Sequence, residues 1–228
     1  MAEKAIVRVR DLWALPGCTP GCNGTGWYPS ADDKGREIVK PCPGCQSRRL
    51  VGQFGTDVCT WSNWEYRREL ESVVEQLRGW RGGEEWACLL HAGELRRYPL
   101  GNRGSGKSHA MQATAHEWAQ RGRTVRYTAV PDLIEQHREA IGDDSVGVPA
   151  VAEFDGLLLL DDLGVGKVTP WVQEILERLA DYRRRHLLPT LISTNKDLGR
   201  LEGEFPRLVD RCFEGLVIEW QASSWRRR

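Results

Sequence analysis

Short apolar runs alternate with amphipathic segments along the chain after Gly93. The apolar runs are bounded by turn residues and suit buried strands, whereas the segments between them repeat apolar residues at helical spacing. One such segment begins with Thr169 at an N-cap position and Pro170 at the first helical position. The predicted elements are, in order, a helix over 107–121, a strand over 124–130, a helix from Pro131, a strand over 156–164, a helix from Pro170, a strand at "TLIST", a helix at "FPRLVDRC" and a strand at "GLVIEW". The alternation predicts parallel strands joined by crossover helices.

The segment over residues 86–100, just before the glycine-rich loop at 101–108, has two interpretations. The run "WACLLHA" is apolar, whereas the following "ELRRYPL" is polar and carries Pro99, which a central strand tolerates poorly. We expect a helix at "WACLLHA", with a short strand entering at about Tyr98. The alternative is that "WACLLHA" is itself the strand and is followed by an unusual insertion.

The N-terminal part of the chain lacks a clear apolar period. Residues 1–58 are rich in Gly, Pro, Cys and charge, so a hydrophobic core alone is not expected to order them. From Trp64 to Trp80, apolar residues at helical spacing predict an amphipathic connecting helix that is closed by "RGG". We therefore divide the chain into a small module over 1–58 and an α/β domain over 59–228 that includes this helix.

A glycine-rich loop provides the first chemical signal. Residues 101–108 match G-x-x-x-x-G-K-[ST] in full, so backbone amides can converge on phosphate oxygens at the positive N-terminus of the next helix. Lys107 is predicted to reach the β- and γ-phosphates and Ser108 to bind Mg²⁺. A chance glycine-rich turn before a helix is the alternative. The predicted ATP site consists of Gly101, Gly104, Ser105, Gly106, Lys107, Ser108 and His109.

Polar residues follow two of the predicted strands. Asp161 and Asp162 come after four leucines, and we predict that Asp161 holds the Mg²⁺ shell while Asp162 orients or activates the attacking water. Asn195 ends the next apolar strand, and consecutive strand ends line one crevice in an open parallel sheet, so Asn195 is predicted to sense the γ-phosphate. An Asn-initiated turn is the alternative for Asn195.

A late helix carries two arginines in "PRLVDRC". An arginine in this position can place its charge on the phosphoryl group that a neighbouring subunit binds. We predict that Arg211 has this role, with Arg207 as the substitute candidate and a solvated surface arginine as the default alternative. The predicted catalytic residues are Lys107, Asp161, Asp162, Asn195 and Arg211.

Four of the seven cysteines form two close pairs near the N-terminus. Cys18 and Cys22 are separated by three residues, Cys42 and Cys45 by two, and nineteen residues lie between the pairs. Two thiolate pairs on Gly/Pro-rich turns predict a tetrahedral zinc site with four cysteine ligands, which would supply folding energy that the poor core lacks. Redox-active pairs are the alternative. Such a module either docks a protein or nucleic acid or is purely structural, and the sequence favours neither.

Composition limits the cellular setting. The chain has 228 residues with 32 Lys and Arg against 32 Asp and Glu, so no global charge draws it to nucleic acid or to a membrane. Local clusters of arginine occur at "SRRL", "YRRRH" and "WRRR". No stretch approaches the roughly 20 apolar residues of a membrane span. We expect a cytoplasmic protein without a membrane partner.

Taken together, the motifs occur in an order that resembles the bacterial helicase loaders of the DnaC/DnaI type and the related IstB transposition helpers, a clade of the AAA+ ATPases. The motifs that carry this resemblance are the cysteine pairs, "TWSNWEY", "GNRGSGKSHAM", "VPDLIEQHREA", "LLLLDDLG", "STN" and "RLVDRC". It implies an α/β P-loop NTPase fold of the AAA+ type, a parallel sheet flanked by helices, without a helical lid and with a small zinc module. In the wider AAA+ group the second acid is usually Glu, whereas this clade often has the Asp-Asp found here.

The resemblance also implies a function. A loader of this kind would use ATP, Mg²⁺ and Zn²⁺, dock on a replicative hexameric helicase and grip single-stranded DNA. ATP would act as a switch, and the ATP-bound protein would form a homo-oligomer. Arg211 would be the arginine finger that contacts the nucleotide of the neighbouring subunit, and Arg226 could fill a later sensor role. One alternative is a transposition helper that binds duplex DNA and a transposase. Another is a zinc-dependent nucleic-acid-binding protein with a vestigial ATP site.

Overall fold

The computed structural model describes residues 19, 21–22, 26–45, 59–93, 104–140 and 147–224. Predictions on Cys18, Gly101, Arg226 and the strand near Tyr98 lie outside these ranges. The strands are β1 (Trp27–Ala31), β2 (Glu37–Pro41), β3 (Ala87–Ala92), β4 (Val125–Ala129), β5 (Leu157–Leu163), β6 (Thr190–Asp197) and β7 (Leu216–Trp220). The helices are α1 (Glu71–Gly79), α2 (Lys107–Gln120), α3 (Val130–Glu139), α4 (Val148–Ala152), α5 (Pro170–Arg185), α6 (Leu198–Glu204) and α7 (Pro206–Cys212).

Five strands form a parallel sheet in the order β4-β5-β6-β3-β7. Side chains along each strand point alternately to the two faces of the sheet, so neighbouring leucines enter different cores. Leu158 and Leu160 of β5 pack against α3 to α7, whereas Leu157 and Leu159 pack against α1 and α2. The two cores explain why the predicted strand over 156–164 is apolar without interruption.

The helix expected at "WACLLHA" is wrong. Residues Ala87–Ala92 form the strand β3, which lies between β6 and β7 and is buried at every position. A parallel strand covered on both faces is a continuous apolar run, and a length of six residues is more typical of strands than of buried helices. The alternative interpretation, that this run is itself the strand, is therefore confirmed, while the insertion expected after it lies outside the described residues.

The connecting helix is shorter than predicted. A 3-10 turn over Arg68–Leu70 leads into α1, so Trp64 lies before the helix rather than in its first turn. The module that precedes it contains an antiparallel hairpin in which Trp27 pairs with Pro41 and Ala31 with Glu37. None of the helices in the described ranges combines the length and apolar character needed to span a bilayer.

One arginine of the "YRRRH" cluster is internal. Arg183 of α5 is fully buried and donates hydrogen bonds to the Thr190 hydroxyl and to five backbone carbonyls. Burial lowers the pKa of Arg183 to about 10. Arg183 therefore ties α5 to the ends of α4, β5 and β6 and adds nothing to a basic surface. The five carbonyls belong to Val151, Ala152, Phe154, Gly156 and Pro189.

Candidate functional site

The described part of the glycine-rich loop has the backbone that its sequence predicts. Gly104 and Gly106 have φ values of 73° and 100°, in the left-handed region that side chains with a Cβ rarely adopt. Gly106 is the N-cap of α2, and its carbonyl accepts the amide of Ala110 at 2.9 Å. The loop therefore leads directly into a helix N-terminus, where an anion is favoured.

Lys107 is held inside the site rather than on its surface. The side chain is 5% exposed, and its Nζ lies 3.5 Å from the Ser105 hydroxyl. Burial lowers the pKa of Lys107 to about 8, while Asp161 and Asp162 act in the opposite direction. The structure thus brings the predicted lysine and both predicted acids into electrostatic contact.

Asp161 is a buried carboxylate surrounded by donors. Its Oδ1 accepts hydrogen bonds from the Ser193 hydroxyl and from the Asp162 amide at 3.0 Å, and its Oδ2 accepts one from the Tyr127 hydroxyl at 3.2 Å. Burial and then the charge of Asp161 raise the pKa of Tyr127, so its phenol stays protonated and can donate. Sequence reasoning missed Tyr127 and Ser193, because a hydroxyl within a strand is not distinctive.

Asp162 and Asn195 meet at the ends of neighbouring strands. Asn195 Nδ2 donates a hydrogen bond to Asp162 Oδ1 at 3.0 Å. Asp162 has a φ of 59°, and the pairing of β5 with β6 shifts register between Leu160 and Leu163. A non-glycine residue in this conformation is sustained by its surroundings and is common at functional sites. The Asp162 side chain is thereby turned towards Asn195.

The remaining predicted ATP-site residues differ in their surroundings. Ser108 is exposed on the first turn of α2. The ring of His109 instead faces the connecting segment, with Nε2 3.2 Å from the Thr60 carbonyl and its centroid 4.9 Å from that of Trp64. His109 therefore links the phosphate loop to the segment before α1.

Aromatic residues support the loop from behind. Trp220, at the end of β7, is fully buried and donates its Nε1 hydrogen to the Ser105 carbonyl at 3.2 Å. Trp64 packs edge-on against Trp220, with a centroid distance of 6.0 Å, and against Trp61 at 5.5 Å. Sequence reasoning missed this support because these residues are far apart in the chain.

Three of the four predicted zinc ligands come together. The sulfur atoms of Cys22, Cys42 and Cys45 all lie within 4.8 Å of one another, and Cys22 and Cys45 are 3.6 Å apart. Thiolates at about 2.3 Å from a tetrahedral Zn²⁺ lie about 3.8 Å apart, so the spacing fits this ion. Burial opposes ionisation of Cys42, but hydrogen bonds led by the Thr19 amide outweigh it and lower its pKa to about 6.

Comparisons with known proteins agree with this architecture. The crystal structure of the DnaC helicase loader superposes with a TM-score of 0.59 at 19% identity, covering 76% of this chain and 99% of that one. The replication initiator DnaA bound to AMPPCP and single-stranded DNA gives 0.58 at 21% identity, covering 75% and 52%. The domain has the AAA+ P-loop fold.

The chain also matches a known protein by sequence. The replicative helicase loader DnaI of Bacillus subtilis (strain 168) is 26% identical over 110 residues, which are 47% of this chain and 35% of DnaI. The match thus spans about a third of the length of that relative. No protein-family model matches the chain. The chain resembles loaders of the DnaC/DnaI type, as the order of its motifs indicates.

Arg211 lies at the amino-terminal ends of the strands of the AAA+ sheet, opposite the ends that carry the phosphate loop. Its carbonyl accepts a hydrogen bond from Trp86, which precedes β3, whereas the phosphate loop follows the other end of that strand. The guanidinium Nε donates to Asp181 and Nη1 to Asp210, both at 2.9 Å. Arg211 is therefore paired with acids of α5 and of its own helix and does not join Asp161 and Asp162, and Arg207 is exposed on the same helix.

Proposed function

We propose that the chain is an ATP-dependent loader that delivers a replicative helicase to single-stranded DNA. The observation that carries this proposal is the occurrence, in one chain, of a sequence match to the loader DnaI and a phosphate loop whose lysine faces two strand-end acids. The DnaC helicase loader shares the fold over nearly its whole length. The protein would act in the cytoplasm.

ATP and Mg²⁺ fit the residues at the carboxyl edge of the sheet. The amides from Gly104 to Lys107 would bind phosphate oxygens, and Lys107 would neutralise the β- and γ-phosphates. Ser108 and Asp161 would hold the metal ion, which supplies charge neutralisation at the transferred phosphate. Similar folds whose structures are solved with AMPPCP, an ATP analogue, support this assignment.

Hydrolysis would use the hydrogen-bonded pair of Asp162 and Asn195. A carboxylate fixed by an amide donor can orient a water molecule in line with the γ-phosphate. Asn195 would report the state of the γ-phosphate through the same contact. ATP binding and hydrolysis would then switch the protein between two states rather than drive continuous movement.

The position of Arg211 supports a site shared between two copies. A guanidinium at the end of the sheet opposite its own phosphate loop can reach the nucleotide of a neighbouring subunit. The ATP-bound form would therefore be a homo-oligomer. Mixing Arg211→Ala subunits with Lys107→Ala subunits tests this arrangement. We expect partial recovery of hydrolysis, and turnover by a strictly monomeric enzyme would exclude a shared site.

The cysteine module would contact the helicase or DNA with its fold stabilised by Zn²⁺. Cys22, Cys42 and Cys45 provide three thiolates, and Cys18 would provide the fourth. A structural site of this type supplies folding energy directly. Binding of one zinc ion per chain would support the assignment, and full structure after chelation would exclude it.

Two measurements test the loader function. Wild-type protein should hydrolyse ATP at a rate that changes with single-stranded DNA, and Lys107→Ala should reduce the rate at least about a hundredfold. Pull-down with the full chain should recover a purified replicative helicase, both for wild type and for Lys107→Ala. Lys107→Ala should bind the helicase but no longer load it onto single-stranded DNA. Absence of turnover together with DNA binding that ignores Lys107→Ala would instead favour a vestigial ATP site.

A further inference from the structure

Three neighbouring strands surround one carboxylate. Asp161 of β5 receives a hydroxyl donor from Tyr127 of β4 and another from Ser193 of β6, and the Asp162 amide completes the set. The Asp161 residue is 4% exposed and Ser193 is 2% exposed, so water competes little for these bonds. The donors engage both carboxylate oxygens and so oppose rotation of the carboxylate about its χ2 bond.

An ionised carboxylate in this position requires compensation. Burial of a charge is costly unless the group is paired and hydrogen-bonded, and Lys107 supplies charge without fixing an orientation. Hydrogen-bond donors on Oδ1 and Oδ2 fix the orientation of the carboxylate, which a point charge cannot do. A hydroxyl from each flanking strand therefore sets the plane of the carboxylate before any ligand arrives.

We propose that Tyr127 and Ser193 are positioning residues that hold Asp161 in the orientation needed to join the Mg²⁺ shell of bound ATP. The inference rests on the proposed ATP function and assigns two further residues to it. Neither hydroxyl touches the nucleotide in this assignment. Each acts through the Asp161 carboxylate.

The hydroxyls of Tyr127 and Ser193 differ in their hydrogen-bond partners. The Tyr127 hydroxyl donates to Oδ2 of Asp161 at 3.2 Å. The Ser193 hydroxyl donates to Oδ1 of Asp161, and its oxygen accepts a hydrogen bond from the Asp162 amide at 3.4 Å. The backbone of Asp162 adopts the left-handed conformation. Loss of Ser193 therefore disturbs both acids, whereas loss of the Tyr127 hydroxyl removes the donor on Oδ2 of the metal-binding acid.

Nucleotide binding measured at different Mg²⁺ concentrations tests the proposal without turnover. Fluorescent mant-ATP would be titrated into the full chain in EDTA and then with increasing Mg²⁺. We expect Tyr127→Phe to raise the Mg²⁺ concentration for half-maximal tightening roughly tenfold, because a hydrogen bond to a charged group is lost. Ser193→Ala should raise it at least as much, and affinity in EDTA should stay within about twofold of wild type because the phosphate loop is intact.

A matched control lies beside Tyr127 on the same strand. The Thr128 hydroxyl bonds to the Ala129 carbonyl at 3.3 Å, and strand alternation places this side chain on the other face. Thr128→Val should leave the Mg²⁺ requirement unchanged. Turnover adds a second readout, since excess Mg²⁺ should restore the rate of Tyr127→Phe but leave Ser193→Ala slower through the displaced Asp162.

The outcomes distinguish failure of the proposed ATP function from failure of the positioning role. If wild type binds no mant-ATP with Mg²⁺ present, the proposed ATP function fails. If wild type binds and both variants keep the wild-type Mg²⁺ requirement, the positioning role alone is wrong. A loss of affinity that is equal in EDTA and in Mg²⁺ would place the defect in the phosphate loop and would also overturn the positioning role.

Discussion

Cys22, Cys42 and Cys45 of the N-terminal module occupy buried sites opposite in character to those of Cys88 and Cys212 in the AAA+ domain. In the module, hydrogen-bond donors from Thr19 and from neighbouring cysteines lower the pKa of Cys42 to about 6 in spite of burial. In the AAA+ domain, burial raises the pKa of Cys212 to about 12 and raises that of Cys88 well above its usual value. The same side chain is thus prepared as a thiolate in one region and kept as a neutral apolar group in the other.

The difference shows how each region is stabilised. The AAA+ domain has two cores, one on each face of a five-stranded sheet, and its thiols are part of that apolar packing. Among residues 19, 21–22 and 26–45, the cluster of buried apolar residues consists of Cys22, Cys42 and Cys45, with Tyr28 packed against it. The small apolar area that these described residues bury suits a fold that depends on ligands or cross-links.

Removal of the proposed zinc ion should have the largest effect, and the effect should be confined to the module. A structural zinc site contributes on the order of 10 kcal/mol of binding free energy, which here would be folding free energy. A chelator, or Cys42→Ser, should remove amide protection from β1 and β2, and hydrogen exchange read by mass spectrometry would show it. Cys88→Ser serves as the control and should keep the metal.

The AAA+ domain should keep its cooperative unfolding transition under the same treatment. Loss of that transition on chelation would mean that the two regions are stabilised together. The contrast between a metal-held and a core-held region would then be wrong.

Removal of Arg183 should have the next largest effect and should act on the opposite region. Arg183→Met leaves buried carbonyls without their donor, and we expect a loss of about 3–5 kcal/mol in the free energy of unfolding. Denaturant unfolding of the AAA+ domain measures it, while zinc content should not change. Arg184→Met is the matched control, because Arg184 is partly exposed in its ion pair with Glu214 and should cost less than about 1 kcal/mol. Equal losses for both variants would contradict the role of Arg183 as an internal tie.

The smallest effect concerns the pH dependence of the AAA+ domain. Cys212 has a pKa of about 12 in the folded state against 9.0 for the ordinary thiol, so the unfolded chain releases this proton first as the pH rises. The stabilisation from Cys212 is complete below pH 9 and is lost between pH 9 and 12. Above pH 9 the free energy of unfolding should fall by about 1.4 kcal/mol per pH unit for this group.

Cys212→Ala should remove the contribution of this thiol to the fall in the free energy of unfolding with pH. The packing lost with the thiol should lower the free energy of unfolding by the same amount at every pH. Urea unfolding at pH 8.5, 9.5 and 10.5 would measure both quantities. A slope that is unchanged in the variant would mean that Cys212 does not keep a neutral thiol in the folded state.

Local patterns in the sequence were sufficient for most of the AAA+ domain. The run of four leucines before Asp161 predicted a buried strand, and Thr169 caps α5 by accepting the Val172 amide, as its position before Pro170 suggested. These features depend on residues within a few positions of one another. The mistaken helix at "WACLLHA" arose because the decision depended on the polar segment after it rather than on the run itself.

Other parts of the candidate site depend on residues that are distant in the chain. Tyr127 and Ser193 reach Asp161 because the sheet order places β4 and β6 on either side of β5. Trp220 reaches the Ser105 carbonyl across 115 positions of sequence. No local pattern distinguishes these residues from others that merely fill a strand.

The sequence by itself determined the fold class, the phosphate loop, the strand-end acids and the cysteine pairs, because each depends on spacing along the backbone. Tertiary structure alone decided that β3 is a central strand, that Arg183 is internal and that two hydroxyls orient Asp161. The physical reason is that burial and hydrogen-bond partners are set by which strands lie side by side. Strand order is a property of the whole packed chain, and the elements that it brings together can be a hundred residues apart.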